Sequence, residues 1–168
     1  MRFNEIQDSK VLYIIDQPQN IDANYLHQAK QLIAQGGEIA PEYINAGIDR
    51  SHMVAIAIAN DQVVAVTAAK NPNPSYRNRV FAAAGVANLE NQYPLESGYS
   101  YTNPAWRNSN ISAQLHRKLF AAIDTPMFAT VREQNRVALL GLQRLGFRPI
   151  GNTFTSPRGN YEIVLLVN

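Results

Sequence analysis

Apolar runs alternate with helical periodicities along the first half of the chain. Residues 22–34 place apolar side chains at helical spacing, and Gly36-Gly37 follow, which predicts a helix that stops there. Residues 41–46 predict a second, short helix. Three runs have the length and composition of strands: 11–15, 53–59 and 63–68. Asn60-Asp61-Gln62 lie between the last two runs and predict that they form a hairpin.

Two prolines in Asn71-Pro-Asn-Pro interrupt this pattern and predict a break in the chain. Residues 76–90 then carry apolar side chains at helical spacing, which predicts an added helix. The positions that carry this spacing are Tyr76, Val80, Phe81 and Ala84.

The most informative segment is a strand, a short polar loop and a helix. Residues 96–102 have the pattern of a strand, Asn103-Pro104 end it, and Arg107 precedes a run of small polar residues. The helix that follows has one apolar face, formed by Ile111, Leu115, Leu119, Phe120 and Ile123.

A second strand and helix follow at residues 127–131 and 135–146. Asn135 suits the N-cap of that helix and Gly146 suits the left-handed position that ends it. Residues 147–150 and 161–167 predict two final strands, and the nearly unbroken apolar run of the last one predicts burial on both faces. The alternation of elements predicts one α/β domain over 1–168 with a mixed sheet.

Small residues between a strand and a helix N-terminus favour an anion site. Free backbone N–H groups converge at such a terminus, and the helix dipole adds positive potential. Arg107 would add a forked, fixed charge beside it. The alternatives are that Arg107 is a solvated loop residue and that the small polar residues form an ordinary turn that leads to a helix N-cap. His116 is expected on the exposed side of the helix, and a general base is the alternative role for it.

Composition narrows the class of protein. Hydrophobic residues make up 46% of the chain, which excludes disorder, and no apolar run approaches the ~20 residues of a membrane span. Residues 1–5 do not have the pattern of a signal peptide, so a cytoplasmic location is expected. The chain has no cysteine, and its three histidines are scattered, so no metal site is predicted.

Charge is unevenly distributed between the two halves. Residues 1–95 hold seven Lys/Arg and nine Asp/Glu, whereas residues 96–168 hold eight and four. Either this is chance, or the positive half attracts an anionic cofactor. Basic residues are not clustered with aromatic ones, so nucleic-acid binding is not expected.

Together, the two strand–helix segments resemble the GNAT superfamily of acyl-CoA-dependent N-acetyltransferases. The family pattern is an acidic residue that starts a strand, a proline, then Arg/Gln-x-x-Gly-x-Gly/Ala, and later Asn-x-x-Ala-x-x-x-Tyr-x-x-x-Gly-Phe. This chain has Glu96, Pro104 and the stretch Arg107–Ser112, and then Asn135, Ala138, Gly146 and Phe147 in register. The resemblance covers roughly residues 95–150.

The resemblance implies a mostly antiparallel central sheet flanked by helices, acetyl-CoA as cosubstrate and a primary amine as acceptor. It implies that Glu96 is the base, although an exposed strand-end glutamate is the alternative. Tyr99 is either a core residue or a replacement proton donor, and Asn135 is either an N-cap alone or a cofactor contact as well. The residues implied to bind the cofactor are Tyr101, Thr102, Arg107, Asn108, Ser109, Asn110, Ile111, Ser112 and Asn135.

Departures from the family pattern bear on the chemistry. Asn110 stands at the first glycine and Ser112 at the last small position, and asparagine tolerates a positive φ better than other non-glycine residues. Leu142 stands where the family has a tyrosine that commonly acts as the acid.

These departures leave three functions open. The main hypothesis is acetyl transfer to an amine by direct attack. The alternatives are an acyl-CoA-binding module that acts through a partner and a GNAT-type toxin that acetylates aminoacyl-tRNA. A homodimer is also left open.

Overall fold

The computed structural model describes residues 6–8 and 10–168 of the chain. Its strands are β1 (Ile6–Asp8), β2 (Val11–Asp16), β3 (Met53–Ala59), β4 (Gln62–Lys70), β5 (Leu95–Thr102), β6 (Met127–Arg132), β7 (Arg148–Pro149), β8 (Phe154–Thr155) and β9 (Glu162–Val167). Its α-helices are α1 (Ala23–Gln35), α2 (Pro41–Asp49), α3 (Pro74–Ala83), α4 (Ile111–Ala121) and α5 (Arg136–Arg144). Single turns of 3₁₀-helix lie at Pro18–Asn20, Pro104–Trp106 and, slightly longer, Ala87–Gln92.

Two compact units contain these elements. The first comprises the described residues up to Lys70 together with Ser97–Asp124, and the second comprises Asn71–Glu96 and Thr125–Asn168. Strand β5 begins in the second unit and ends in the first. The expectation of one domain over 1–168 stays a prediction.

In the first unit the hydrogen-bonded strand order is β1-β2-β3-β4-β5, and the pairs among β1, β2, β3 and β4 are antiparallel. The hairpin between β3 and β4 turns through Asn60 and Asp61, whose φ angles are 51° and 60°. Two successive left-handed residues make the tight turn that matches the twist of the paired strands. The predicted hairpin is therefore confirmed.

Helices cover both faces of the first unit's strands. Asp22 caps α1 by accepting from the backbone N–H groups of Asn24 and Tyr25. Ala29, Leu32 and Ile33 of this helix are buried in one core cluster with Ile44 and Ile48 of α2 and apolar residues of β3 and β4. Helix α4 also contacts β2, β3 and β4. Its polar contact to Thr67 places it on the opposite face, because side chains alternate along a strand.

In the second unit the strand order is β5-β6-β9-β7, and β8 pairs with β9. The first residues of β5 pair with β6 in parallel, whereas β6, β7 and β8 run antiparallel to β9. The core of this unit is aromatic. The ring centroid of Phe81 lies 5.9 Å from that of Tyr93 and 5.3 Å from that of Phe128.

Two predictions for the second unit were wrong, one about the bounds of a helix and one about the burial of a strand. Residues 76–90 do not form one helix: Gly85 has a φ of 77°, which ends α3 and leaves Ala87–Gln92 as a separate 3₁₀ segment. Strand β9 is not buried along its length, because only its last three residues are buried. At its first end it pairs with the two-residue strand β8, which leaves this region near the surface.

Candidate functional site

Strand β5 ends in a tight turn that leads to α4. The N–H of Asn103 donates to the carbonyl of Val64 at 2.8 Å, which holds the strand end against β4. Its side-chain oxygen accepts from the N–H of Ala105 at 3.0 Å, and Pro104 opens a single helical turn. These local bonds reverse the chain and fix the point from which the polar loop starts.

Left-handed residues shape the loop that follows. Asn110 has a φ of 64° and precedes α4 directly, which confirms the positive φ expected where the family pattern has glycine. Asn108 has a φ of 63°, which the sequence did not predict. Among the described residues, the Asn110 side chain makes no capping hydrogen bond, so it does not occupy the backbone donors of the first helical turn.

Contacts with strand β5 hold the side chain of Arg107 at the start of this loop. Its Nε donates to the carbonyl of Thr102 at 3.2 Å, and its guanidinium carbon lies 5.4 Å from the centre of the Tyr101 ring. The hydrogen bond uses one of the five N–H donors of the guanidinium, and the cation–π contact uses one face of its plane. The side chain is exposed. These two contacts orient Arg107 against β5.

The remaining loop residues divide into internal and outward roles. Ser109 donates its hydroxyl to the carbonyl of Trp106, so it stabilises the loop. Ser112 is exposed in the first turn of α4, whereas Ile111 is buried and anchors the helix. The loop borders a cavity of about 280 Å³ that is lined by Lys10, Val11, Tyr13, Trp106, Ser109, Asn110, Ile111 and Gln114.

Tyr99 and Tyr101 pack against the core cluster of the first unit on the side of α1 and α2. Tyr99 has a φ of 54° within β5, a left-handed conformation that is uncommon for a residue other than glycine. Its hydroxyl lies over Gly47 of α2, where a Cβ atom would come within 1.8 Å of it. The ammonium of Lys70 lies 4.7 Å from the centre of its ring. Tyr99 is therefore fixed by contacts on two sides.

Glu96 belongs to the second unit and is buried, with 4% of its surface exposed. The alternative of an exposed strand-end glutamate is therefore wrong. The hydroxyl of Tyr76 donates to its Oε1 at 3.4 Å. Burial, and next the charge of Glu96, raise the pKa of Tyr76 well above its ordinary value. A tyrosine that stays protonated can hold the carboxylate in one orientation.

Asn135 and Leu142 also lie in the second unit. The side-chain oxygen of Asn135 accepts from the N–H of Ala138 at 3.2 Å, so its role as N-cap of α5 is confirmed. Gly146 has a φ of 99° after the end of this helix, as predicted. Leu142 is partly buried on α5.

His116 was expected on the exposed side of α4, and this prediction was wrong. Its side chain is 9% exposed, and its ring contacts Phe120 at 5.7 Å between centroids. Its Nδ1 lies 2.8 Å from the carbonyl oxygen of Ser112, so Nδ1 carries the proton and donates. Burial lowers the pKa of His116, opposed by this backbone hydrogen bond. The imidazole is therefore neutral at pH 7.

Two hydroxyl groups complete the environment of His116. Its Nε2 lies 3.1 Å from Oγ of Ser100 and 3.2 Å from Oγ1 of Thr67, and these two oxygens are 2.8 Å apart. Sequence reasoning missed this network. The available signal in the sequence was the spacing of Ser112 and His116: residues four apart on one helix are neighbours, so a contact between these two could have been predicted.

The candidate residues are thus divided between the two units. Glu96 and Asn135 belong to the second. The first unit contains Tyr99, Tyr101, Thr102, Arg107, Asn108, Ser109, Asn110, Ile111 and Ser112. Within the described ranges, no group of three or more acidic or histidine side chains is arranged to hold a metal ion. Nor does any helix of this part of the chain have the length and apolar character to cross a membrane.

Solved structures with the same fold are numerous, although no family model and no curated protein matches the sequence. An acyl-CoA N-acyltransferase from Pseudomonas aeruginosa superposes with a TM-score of 0.66 at 12% identity, over 94% of this chain and 99% of that one. Naa50 from Arabidopsis thaliana, in complex with the bisubstrate analogue CoA-Ac-MVNAL, gives 0.62 at 13%, over 93% and 97%. An acetyltransferase of the GNAT family from Streptococcus pneumoniae gives 0.59 at 12%, over 95% and 99%. This chain therefore has the mixed α/β fold of the GNAT acetyltransferases.

Proposed function

We propose that this protein is an N-acyltransferase that transfers an acetyl group from acetyl-CoA to a primary amine. The observation that carries the proposal is the loop before α4, where Asn108 and Asn110 are left-handed and Arg107 is oriented by Thr102 and Tyr101. A helix N-terminus whose backbone donors are not capped by the preceding side chain suits a pyrophosphate. The fold agrees with this use, since similar structures include one with a CoA-containing analogue.

Arg107 and the loop residues would bind the cosubstrate. Arg107 offers its remaining guanidinium donors to phosphate oxygens, and Ser112 offers a hydroxyl from an exposed position. The backbone of Tyr101 and Thr102 would bind the pantetheine arm. Acetyl-CoA supplies a thioester carbonyl that an amine can attack.

In this proposal Glu96 acts as the general base. An amine is protonated at neutral pH and becomes a nucleophile only after losing a proton, which Glu96 accepts through a water molecule. The amine then attacks the thioester carbonyl directly, and the C–S bond breaks as the amide forms. Leu142 cannot donate a proton to the departing thiolate, so water or Tyr99 takes that role.

The first test measures turnover and binding together. Purified protein is assayed with acetyl-CoA against a panel of amines, peptides and aminoacyl-tRNA, and binding is measured by calorimetry. Arg107→Ala should weaken acetyl-CoA binding by about 1–3 kcal/mol, the range for charge-assisted contacts. Equal affinity of the variant and the wild type would reject the phosphate-loop assignment.

The second candidate function is an acyl-CoA-binding module without turnover. Leu142 favours it, since the usual proton donor is missing. Tight binding of acetyl-CoA with no product from any acceptor in the panel would support this candidate over the enzyme. Product from aminoacyl-tRNA alone would instead identify the toxin class.

A further inference from the structure

Ser100 lies on β5 with its hydroxyl against His116, on the side of the strand that faces α4. Ser100 is exposed, whereas His116 is buried, so the pair connects the surface to an internal base. Oγ of Ser100 and Nε2 of His116 are 3.1 Å apart, within the range of a nucleophile and its base. Neither residue has a role in amine acetylation as proposed above.

The proton positions of the pair follow from its partners. A carbonyl only accepts, so the 2.8 Å contact to the Ser112 carbonyl places the ring proton on Nδ1. Nε2 then carries a lone pair directed toward the hydroxyls of Ser100 and Thr67. The Ser112 carbonyl fixes both the tautomer and the ring orientation, which is the part that a third residue plays in nucleophile–base sites.

Two arrangements of the hydroxyl protons satisfy the distances. In one, Ser100 donates to Nε2 while Thr67 donates to Ser100. In the other, Thr67 donates to Nε2 and Ser100 donates to Thr67. In both, the Ser100 proton can reach Nε2, either directly or through the Thr67 hydroxyl. If the network served only stability, the residue that can pass its proton to the buried, neutral imidazole would not have to be exposed. Here that residue, Ser100, is exposed.

We propose that Ser100 is a nucleophile activated by His116, and that it takes an acyl group from an activated ester or thioester. This activity goes beyond amine acetylation, because it needs neither an amine acceptor nor a phosphate bound at the loop before α4. The substrate class is an acyl compound with a good leaving group.

The chemistry balances with groups on this chain and water. Oγ of Ser100 bonds to the acyl carbon while its proton passes to Nε2 of His116, and the bond from that carbon to the leaving oxygen or sulfur breaks. The leaving group takes the proton from Nε2, which leaves an acyl ester on Ser100. Water then attacks this ester and gives a proton to Nε2, and Nε2 passes that proton to Oγ of Ser100 as the bond from Oγ to the acyl carbon breaks and the carboxylic acid departs.

The test uses p-nitrophenyl acetate with the whole protein and with no CoA or amine present. The release of p-nitrophenolate is followed, and rapid quenching with peptide mass mapping locates any acetyl group. The expected result is one acetyl group on Ser100 and hydrolysis that falls by about 100-fold or more in both Ser100→Ala and His116→Gln, the size of effect for a lost nucleophile or base.

Ser75→Ala is the matched control, since Ser75 is also exposed and its hydroxyl donates to Asn73 rather than approaching a histidine. It should hydrolyse the ester at the wild-type rate. Ser100→Ala removes only the hydroxyl oxygen of an exposed residue and should fold normally, so it decides the outcome even if His116→Gln unfolds. Equal rates for wild type and Ser100→Ala, or an acetyl group on another residue, would overturn the proposal. Because the probe contains no CoA, this failure is separate from a failure of the proposed acetyltransferase function.

Discussion

Replacing Gly47 by alanine tests how Tyr99 is held beside β5. In the wild type, a Cβ atom at Gly47 would lie 1.8 Å from the hydroxyl oxygen of Tyr99 and 2.7 Å from its ring carbon Cζ. No carbon and oxygen atoms approach so closely without a bond, so the tyrosine must turn away from α2. Turning away takes the ring from its position 4.7 Å from the ammonium of Lys70.

The magnitude follows from two opposing effects. Glycine to alanine in a helix interior normally stabilises a protein by about 1 kcal/mol. Forcing extra atoms into an occupied site costs about 1–3 kcal/mol, because neighbouring side chains leave their preferred rotamers. The expected net change at Gly47 is a loss of about 0–2 kcal/mol of unfolding free energy. The lost cation–π contact contributes about 0.5–1 kcal/mol of that cost.

Gly141 provides the matched control, because it lies within α5 and a Cβ there meets nothing within 4 Å. Gly141→Ala should therefore stabilise by about 1 kcal/mol. The assay is urea unfolding of both variants and of Gly47→Ala in a Tyr99→Ala background, where the clash is gone. Gly47→Ala should then approach the gain seen at Gly141. If both glycine variants gain equally in the wild-type background, Tyr99 is not fixed against Gly47 and the reasoning fails.

Three further predictions concern the loop, the base and the buried histidine. Asn110→Gly should keep or raise the unfolding free energy, whereas Asn110→Val should lower it by about 1–2 kcal/mol, because a β-branched residue resists a φ of 64°; equal urea midpoints would contradict this. Glu96→Gln should reduce kcat about 100-fold at neutral pH with unchanged acetyl-CoA affinity, and the deficit should shrink at high pH where free amine is abundant; a pH-independent deficit would count against a base. The His116 pKa is lowered below 6.5 in the folded state, so the unfolded state binds more protons as pH falls through 6.5 and stability declines there. His116→Gln should flatten that decline in urea unfolding series, and an unchanged pH dependence would assign the effect elsewhere.

Local features of the fold were predictable because their causes are local. Asn135 and Gly146 act at helix ends through bonds or dihedral angles within a few residues, and both predictions were confirmed. Asn110 adopted the left-handed conformation for the same reason, since asparagine tolerates it and the turn requires it. Hydrophobic periodicity placed the main strands and helices.

The sequence by itself therefore determined the order of the main elements, though not strands β1 and β8, together with the loop before α4 and the resemblance that led to the fold. Only the tertiary structure decided that His116 is buried, because its ring meets Thr67 of β4 and Ser100 of β5, which belong to other elements. Likewise, the contact of Ser100 with Thr67 joins two strands, and the Tyr99 hydroxyl lies where a side chain at Gly47 of α2 would be. Such contacts join residues far apart in sequence, and no periodicity or local propensity encodes which of them will meet.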